Sequence, residues 1–323
     1  MTDATTTPTG RWAPEYAERV RRLWDVPGDP TDPAADGVDA WAEIAAPFGP
    51  PEAGELQVVD RLIPGPHGDV PVRVYARPGS LPATAVQWMH GGAFIGGDLD
   101  MPEADAVARG LALRTGARVV SVDYRLAVDG VHHPVPGDDC DAVYAWLRGQ
   151  GYARVVVGGA SAGGNLAAGV ARRAALAGAA PDLALLLYPV LHAALPPADA
   201  ELEACVAQVP EAFRFRPEAT AELNANYLGG ASATADAFPG LADDLSAFPP
   251  TYLETDEFDD LRSSGAAFAA QLRDAGVDVE EVVAAGVPHG HLNAVGSPYA
   301  AASMDRMGRR IRTLDCGSTG EIR

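Results

Sequence analysis

The chain has 323 residues, 47% of them hydrophobic, and a formal net charge of -20; all 24 of its basic residues are arginine. That acidic balance leaves no basic stripe to neutralise phosphates, which argues against nucleic acid as a partner. No apolar run reaches the length of a membrane helix, and a chain of this size buries roughly three quarters of its unfolded surface, so neither a membrane span nor a disulfide framework is expected.

The first ten residues are polar and Thr-rich, without the basic patch and apolar core of a secretory signal. Cys140, Cys205 and Cys316 lie far apart with no CxxC spacing. Free thiols in a reducing, cytoplasmic setting are the expectation. Residues 1–55 carry helical signals, as at 15–24, broken by a Pro/Gly/Asp stretch at 27–37. Two strands, 56–63 and 70–77, flank Pro64-Gly-Pro-His-Gly68 and read as an antiparallel hairpin.

From residue 84 the rhythm changes. Short β-branched or aliphatic runs at 84–89, 118–123, 154–157, 183–188, 251–254 and 279–283 alternate with helix-period segments near 102–115, 138–148, 163–177 and 262–275. Alternation of this kind predicts a mostly parallel sheet covered by helices on both faces, eight strands with the hairpin included. The stretch 192–247 breaks the rhythm and reads as an insertion over the sheet edge. The amphipathic segment 299–314 suits either a homodimer contact or a cover for the sheet, and the last residues, 316–323, read as a flexible tail.

Gly159-Ala-Ser161-Ala-Gly163 matches G-x-S-x-G between an apolar strand and a helix. A sharp turn there projects the Ser, and the flanking glycines remove side chains that would clash. The helix that follows aims backbone N–H groups and a partial positive charge at the serine. In a chain this rich in Gly the pentapeptide alone is weak evidence, the alternative being an idle Ser in a tight turn; its strand-and-helix context is what strengthens it. His90-Gly-Gly-Ala-Phe94, also after a strand, reads either as a plain tight turn or as a loop that lets backbone N–H groups approach an anionic oxygen. Asp256, Asp259 and Asp260 cluster where the strand at 251–254 is expected to end. His289 and His291 alone follow the last strand.

These residues resemble the hormone-sensitive-lipase-like family of α/β-hydrolases. His90–Phe94 is similar to its HGG oxyanion loop, Asp123-Tyr-Arg-Leu-Ala127 to its DYRLA segment, Gly159–Asn165 to its GxSAGGN elbow, Asp259-Asp-Leu-Arg262 to its D-x-L-R acid motif and Pro288-His-Gly290 to its HG motif. The resemblance spans about residues 56–300. It implies an α/β-hydrolase core (56–191 and 248–315) under a helical cap (1–55 and 192–247). It also implies roles: Ser161 as nucleophile, His289 as base and Asp259 as its orienting acid, with an oxyanion hole from Gly92, Ala93 and Ala162, and Gly91 shaping the loop. Asp260 is then expected to cap the following helix, and Arg125 to pair with Asp138 beneath the site.

Two positions depart from the family pattern. Ala93 stands where Gly is common; it still donates its N–H, so a hole can form with a negative φ there, and its methyl would crowd bulky alcohols. Ala160 replaces a more polar residue of the elbow. Phe94, Phe213, Phe215, Tyr227, Leu228 and His291 are candidate pocket residues, or else, for the aromatics, part of the cap's own core. Arg214 and Arg216 would hold a substrate carboxylate or lie solvated at the surface. The expected function is hydrolysis of short-chain carboxylic esters, with deacetylation or acyl transfer on the same triad, or a non-catalytic ligand receptor, as alternatives. No cofactor and no metal are implied.

Overall fold

A computed structural model of the protein describes residue 6, residues 8–24 and residues 40–316; the 27–37 stretch, residues 1–5 and residues 317–323 of the expected tail lie outside the described residues. Eight strands form one sheet: β1 (Gln57–Ile63), β2 (Val70–Ala76), β3 (Thr84–Met89), β4 (Arg118–Val122), β5 (Arg154–Ala160), β6 (Leu183–Leu187), β7 (Thr251–Phe258) and β8 (Val279–Pro288). Their order across the sheet is β1-β2-β4-β3-β5-β6-β7-β8. β2 runs antiparallel to both neighbours, and every other pair is parallel.

Parallel strands need crossovers, and helices supply them: α3 (Pro102–Thr115), α4 (Val135–Arg148), α5 (Ala162–Leu176) and α8 (Arg262–Asp274), with α9 (Pro298–Cys316) closing the chain. Successive strand residues point to opposite faces. Val155 and Val157 join Cys140, Val143, Leu166 and Phe268 on one face, while Val156 joins Val107, Leu111, Met307 and Ile311 on the other. The amphipathic C-terminal helix therefore packs Ala300, Met307 and Ile311 against this sheet.

Before the sheet lie α1 (Pro14–Trp24) and α2 (Ala40–Ala45); between β6 and β7 lie α6 (Ala200–Val206) and α7 (Pro217–Leu228), and residues 192–247 add no strand. Tyr16, Val20 and Ile44 of the N-terminal segment share a third apolar cluster with Cys205, Val209 and Phe213 of the insertion and with Phe258 and Val287 at the ends of β7 and β8. The two sequence-distant segments thus meet where the last two strands finish.

Those two strands are longer than the sequence suggests. β7 runs to Phe258 rather than 254 and β8 to Pro288 rather than 283, and all eight residues of β7 are buried. Glu254 ends the expected strand and Asp256 and Glu257 look like loop residues, but all three are compensated from afar. Arg306 meets Glu254 at 2.9 Å, His291 meets Asp256 at 2.8 Å, and Glu257 accepts from the backbone N–H groups of Thr9, Gly10 and Gly286. Partners of this kind make a buried carboxylate tolerable.

Candidate active site

β5 ends at Ala160 and α5 starts at Ala162, so Ser161 alone makes the turn, at φ 54° and ψ -120°. A Cβ at Gly159 would lie 2.2 Å from the carbonyl oxygen of Gly163, and one at Gly163 would lie 2.3 Å from the carbonyl oxygens of Met89 and His90. Only glycine fits at either place. The Ser161 N–H donates to the Leu187 carbonyl at 2.9 Å and Asn165 Nδ2 donates to the Val190 carbonyl at 2.8 Å, which pins the turn to the chain after β6.

β8 and the turn after it deliver His289. Its Nε2 lies 3.0 Å from Ser161 Oγ and its Nδ1 lies 2.8 Å from Asp259 Oδ2. Asp259, the first residue beyond β7, also accepts from the Leu261 N–H at 2.9 Å through its other oxygen. All three side chains are buried. Burial works against a charged imidazole, but the nearby Asp259 carboxylate and its hydrogen bond outweigh it, and the His289 pKa is raised.

Beside Ser161 the oxyanion loop follows β3. Among the described residues, no protein acceptor takes the N–H groups of Gly92, Ala93 or Ala162. The Gly91 N–H is different: it donates to Glu103 Oε2 at 2.5 Å. Gly91 therefore holds the loop instead of offering a donor. Ala93 does not keep the negative φ expected of it. Its φ is 53°, and Phe94 follows at 65°, so the loop carries strain that glycine would not.

A cavity of about 240 Å³ opens over these groups, lined by Trp41, Gly92, Ala93, Gly96, Gly97, Met101, Glu103, Ser161, Phe215, His289 and Asn293. Of the expected pocket residues only Phe215 lines it, with its ring 4.4 Å from that of His289. Phe94 and Tyr227 stack on each other at 3.9 Å within the main core, where Leu228 also lies. Phe213 stacks beneath Trp41 at 5.2 Å. His291 turns away, its Nε2 2.8 Å from Ser303 Oγ and its Nδ1 on Asp256, whose own pKa burial raises to about 6.

Other expectations are corrected here too. Asp260 does not cap α8; it takes a two-pronged ion pair from Arg214 at 2.6 and 2.8 Å, and Arg216 is held by Glu211, so both arginines are occupied. Arg125 pairs with Asp139, which also accepts the Arg125 N–H, while Asp138 pairs with His67. Trp41, Glu103, Tyr188 and Asn293 were not foreseen. Glu103 is fully buried, and its carboxylate accepts from Tyr188 Oη at 2.6 Å and Asn293 Nδ2 at 3.1 Å as well as from Gly91. Among the described residues no three His, Cys, Asp or Glu side chains gather as metal ligands, and no helix is long and apolar enough to cross a membrane.

A family model described by the α/β-hydrolase fold matches residues 86–293. The carboxylesterase NlhH of Mycobacterium tuberculosis is 37% identical over 296 residues, covering 84% of this chain and 88% of its own. The esterase LipI of the same organism is 34% identical over 268 residues, covering 79% and 81%. An esterase from the bacterial hormone-sensitive lipase family shares the fold, with a TM-score of 0.75 at 24% identity over 93% of this chain and 98% of its own.

Proposed function

The chain belongs to the hormone-sensitive-lipase-like family of α/β-hydrolases and is a serine-hydrolase carboxylesterase, and we propose that it hydrolyses short-chain esters through an acyl-enzyme on Ser161. One observation carries this: the hydrogen-bonded chain from Ser161 through His289 to Asp259 stands beside three uncommitted backbone donors.

His289 Nε2 takes the Ser161 hydroxyl proton as Oγ bonds to the ester carbonyl carbon. The carbonyl oxygen becomes an oxyanion held by the N–H groups of Gly92, Ala93 and Ala162. Collapse of the tetrahedral adduct breaks the bond to the alkoxy oxygen, which leaves as the alcohol with the proton from His289. Water then repeats the sequence on the acyl-enzyme, giving the carboxylic acid and restoring Ser161. Asp259 accepts from His289 Nδ1–H and so fixes that tautomer.

The small cavity supports the short acyl preference. Trp41 closes one side of it: a Cβ on Gly290 would lie 2.6 Å from the tip of its indole, so the ring sits directly over the turn after His289. A series of p-nitrophenyl esters from acetate to octanoate tests this. Acetate and butyrate are the expected best substrates, and Trp41→Ala is expected to raise the octanoate-to-acetate ratio of kcat/KM by about tenfold. A wild type that prefers octanoate would overturn the short-chain assignment. Cys140 and Cys205 are buried free thiols, which supports a reducing, cytoplasmic setting.

A further inference from the structure

The second residue of α3 places a carboxylate against the oxyanion loop, in a part of the chain where nothing in the sequence signals chemistry. We propose that Glu103 is a positioning residue for ester hydrolysis: by holding the Gly91 N–H it fixes the peptide planes that aim the Gly92 and Ala93 N–H groups at the oxyanion. The inference rests on the acyl-enzyme reading above.

The groups around this carboxylate are all neutral donors, and they come from three separate loops. Gly91 comes from the oxyanion loop, Tyr188 from the turn after β6, and Asn293 from the turn after His289. Asn293 grips the same residue twice, since its Oδ1 also accepts the Glu103 N–H at 3.2 Å, and Trp88 Nε1 donates to the Glu103 carbonyl at 2.8 Å. Both the backbone and the side chain of Glu103 are therefore held by hydrogen bonds.

Comparison with another buried acid in this protein shows why the arrangement points to the loop. Glu254 has a guanidinium beside it and serves a structural ion pair. Glu103 has no cation among these hydrogen-bond partners, and an acid without one costs stability that an apolar side chain would save. What the acid gains is Gly91, which lies between the Glu103 carboxylate and the nucleophile. A Cβ at residue 91 would be 2.6 Å from Glu103 Oε2 and 3.0 Å from Ser161 Cβ. The loop therefore passes through a slot whose walls are the carboxylate and the serine. With Gly91 tethered, the loop enters the positive-φ residues Gly92 (110°) and Ala93 (53°) from a fixed point. Preorganised donors of this kind avoid reorganisation during reaction.

Glu103→Leu removes the acceptor, and Glu103→Gln keeps one oxygen for Gly91 at the expense of an unmatched donor elsewhere. The two variants are compared with wild type by steady-state kinetics on p-nitrophenyl acetate and by inhibition with a methyl trifluoromethyl ketone, whose adduct on Ser161 carries an oxyanion. Glu103→Leu is expected to lose about 100-fold in kcat with KM within threefold, and to bind the ketone more weakly in proportion. Glu103→Gln, which leaves only a neutral acceptor on Gly91, is expected to recover about tenfold of that loss and to stay about tenfold below wild type in kcat. Folded Glu103→Leu protein with wild-type kcat, a loss confined to KM, or a Gln variant no better than Leu would each overturn the proposal. If Glu103→Leu does not fold, Glu103→Gln decides: a lower kcat at unchanged KM with weaker ketone inhibition supports it, and wild-type values for both overturn it. An inactive wild type would instead remove the acyl-enzyme reading, so the two failures are distinguishable.

Discussion

Arg306 on α9 meets Glu254 on β7 at 2.9 Å with both side chains closed to solvent, 3% and 0% exposed. Tyr252, Ser303 and His291 surround the same carboxylate. Burial raises the pKa of Glu254, but Arg306 and the hydrogen bonds prevail, and it ends below the usual carboxylate range.

Removing one partner leaves the other charge buried and unpaired, so Arg306→Met is expected to cost about 3–5 kcal/mol. The sign of the pH dependence follows. In the wild type the depressed Glu254 pKa contributes stability above the ordinary carboxyl pKa that is lost as pH falls through the folded value. In Arg306→Met burial outweighs the remaining contacts from Ser303 and His291, the pKa rises, and the deficit is expected to be larger at pH 8 than at pH 5. Urea denaturation at the two pH values measures it, and a deficit independent of pH would contradict the ion-pair account. The double variant Glu254→Gln/Arg306→Met is expected to regain part of the loss.

Ala93 holds a left-handed φ that costs an alanine roughly 1 kcal/mol more than a glycine. Ala93→Gly is accordingly expected to raise the thermal midpoint slightly while keeping the Gly92 and Ala93 donors in place. It also removes the methyl from the cavity wall, so esters of bulkier alcohols are expected to gain relative to ethyl esters. A drop in thermal midpoint on this substitution would show that the loop is not strained at residue 93.

His289 must be neutral to accept the Ser161 proton, so kcat/KM falls as pH drops through its pKa. Asp259 raises that pKa, which places the acidic limb above the value of about 6.5 for a free imidazole. Asp259→Asn is expected to shift the limb to lower pH and to reduce kcat by about 10⁴-fold, since the wrong tautomer is then favoured. A pH–rate profile of both proteins measures this, and an unmoved limb would contradict the pairing of His289 with Asp259.

The parts of this site that are legible in the sequence are those whose reasons are local. The Gly159–Gly163 turn and the His90–Phe94 loop depend on neighbours within a few residues, and the strand-to-helix rhythm around them is a property of short windows. Glu103 is invisible because its meaning comes from Gly91, Tyr188 and Asn293, which lie 12, 85 and 190 residues away. The extension of β7 is hidden for the same reason. The Thr-Asp-Glu run after Glu254 reads as a loop unless His291 and the Thr9–Gly10 amides are already in place. Asp260 and His291 were misassigned because a carboxylate next to a helix and an imidazole next to the base look useful locally, whereas Arg214 and Asp256 claim them in the folded chain.

The most direct test of the account is to locate the nucleophile chemically. After treatment with a fluorophosphonate, intact mass is expected to show one adduct per chain, peptide mapping to place it on Ser161, and ester turnover to stop as it forms. Ser161→Ala is expected to take no label and to lose about a million-fold in kcat. An adduct on another residue, or a Ser161→Ala protein that still hydrolyses p-nitrophenyl acetate near the wild-type rate, would contradict it.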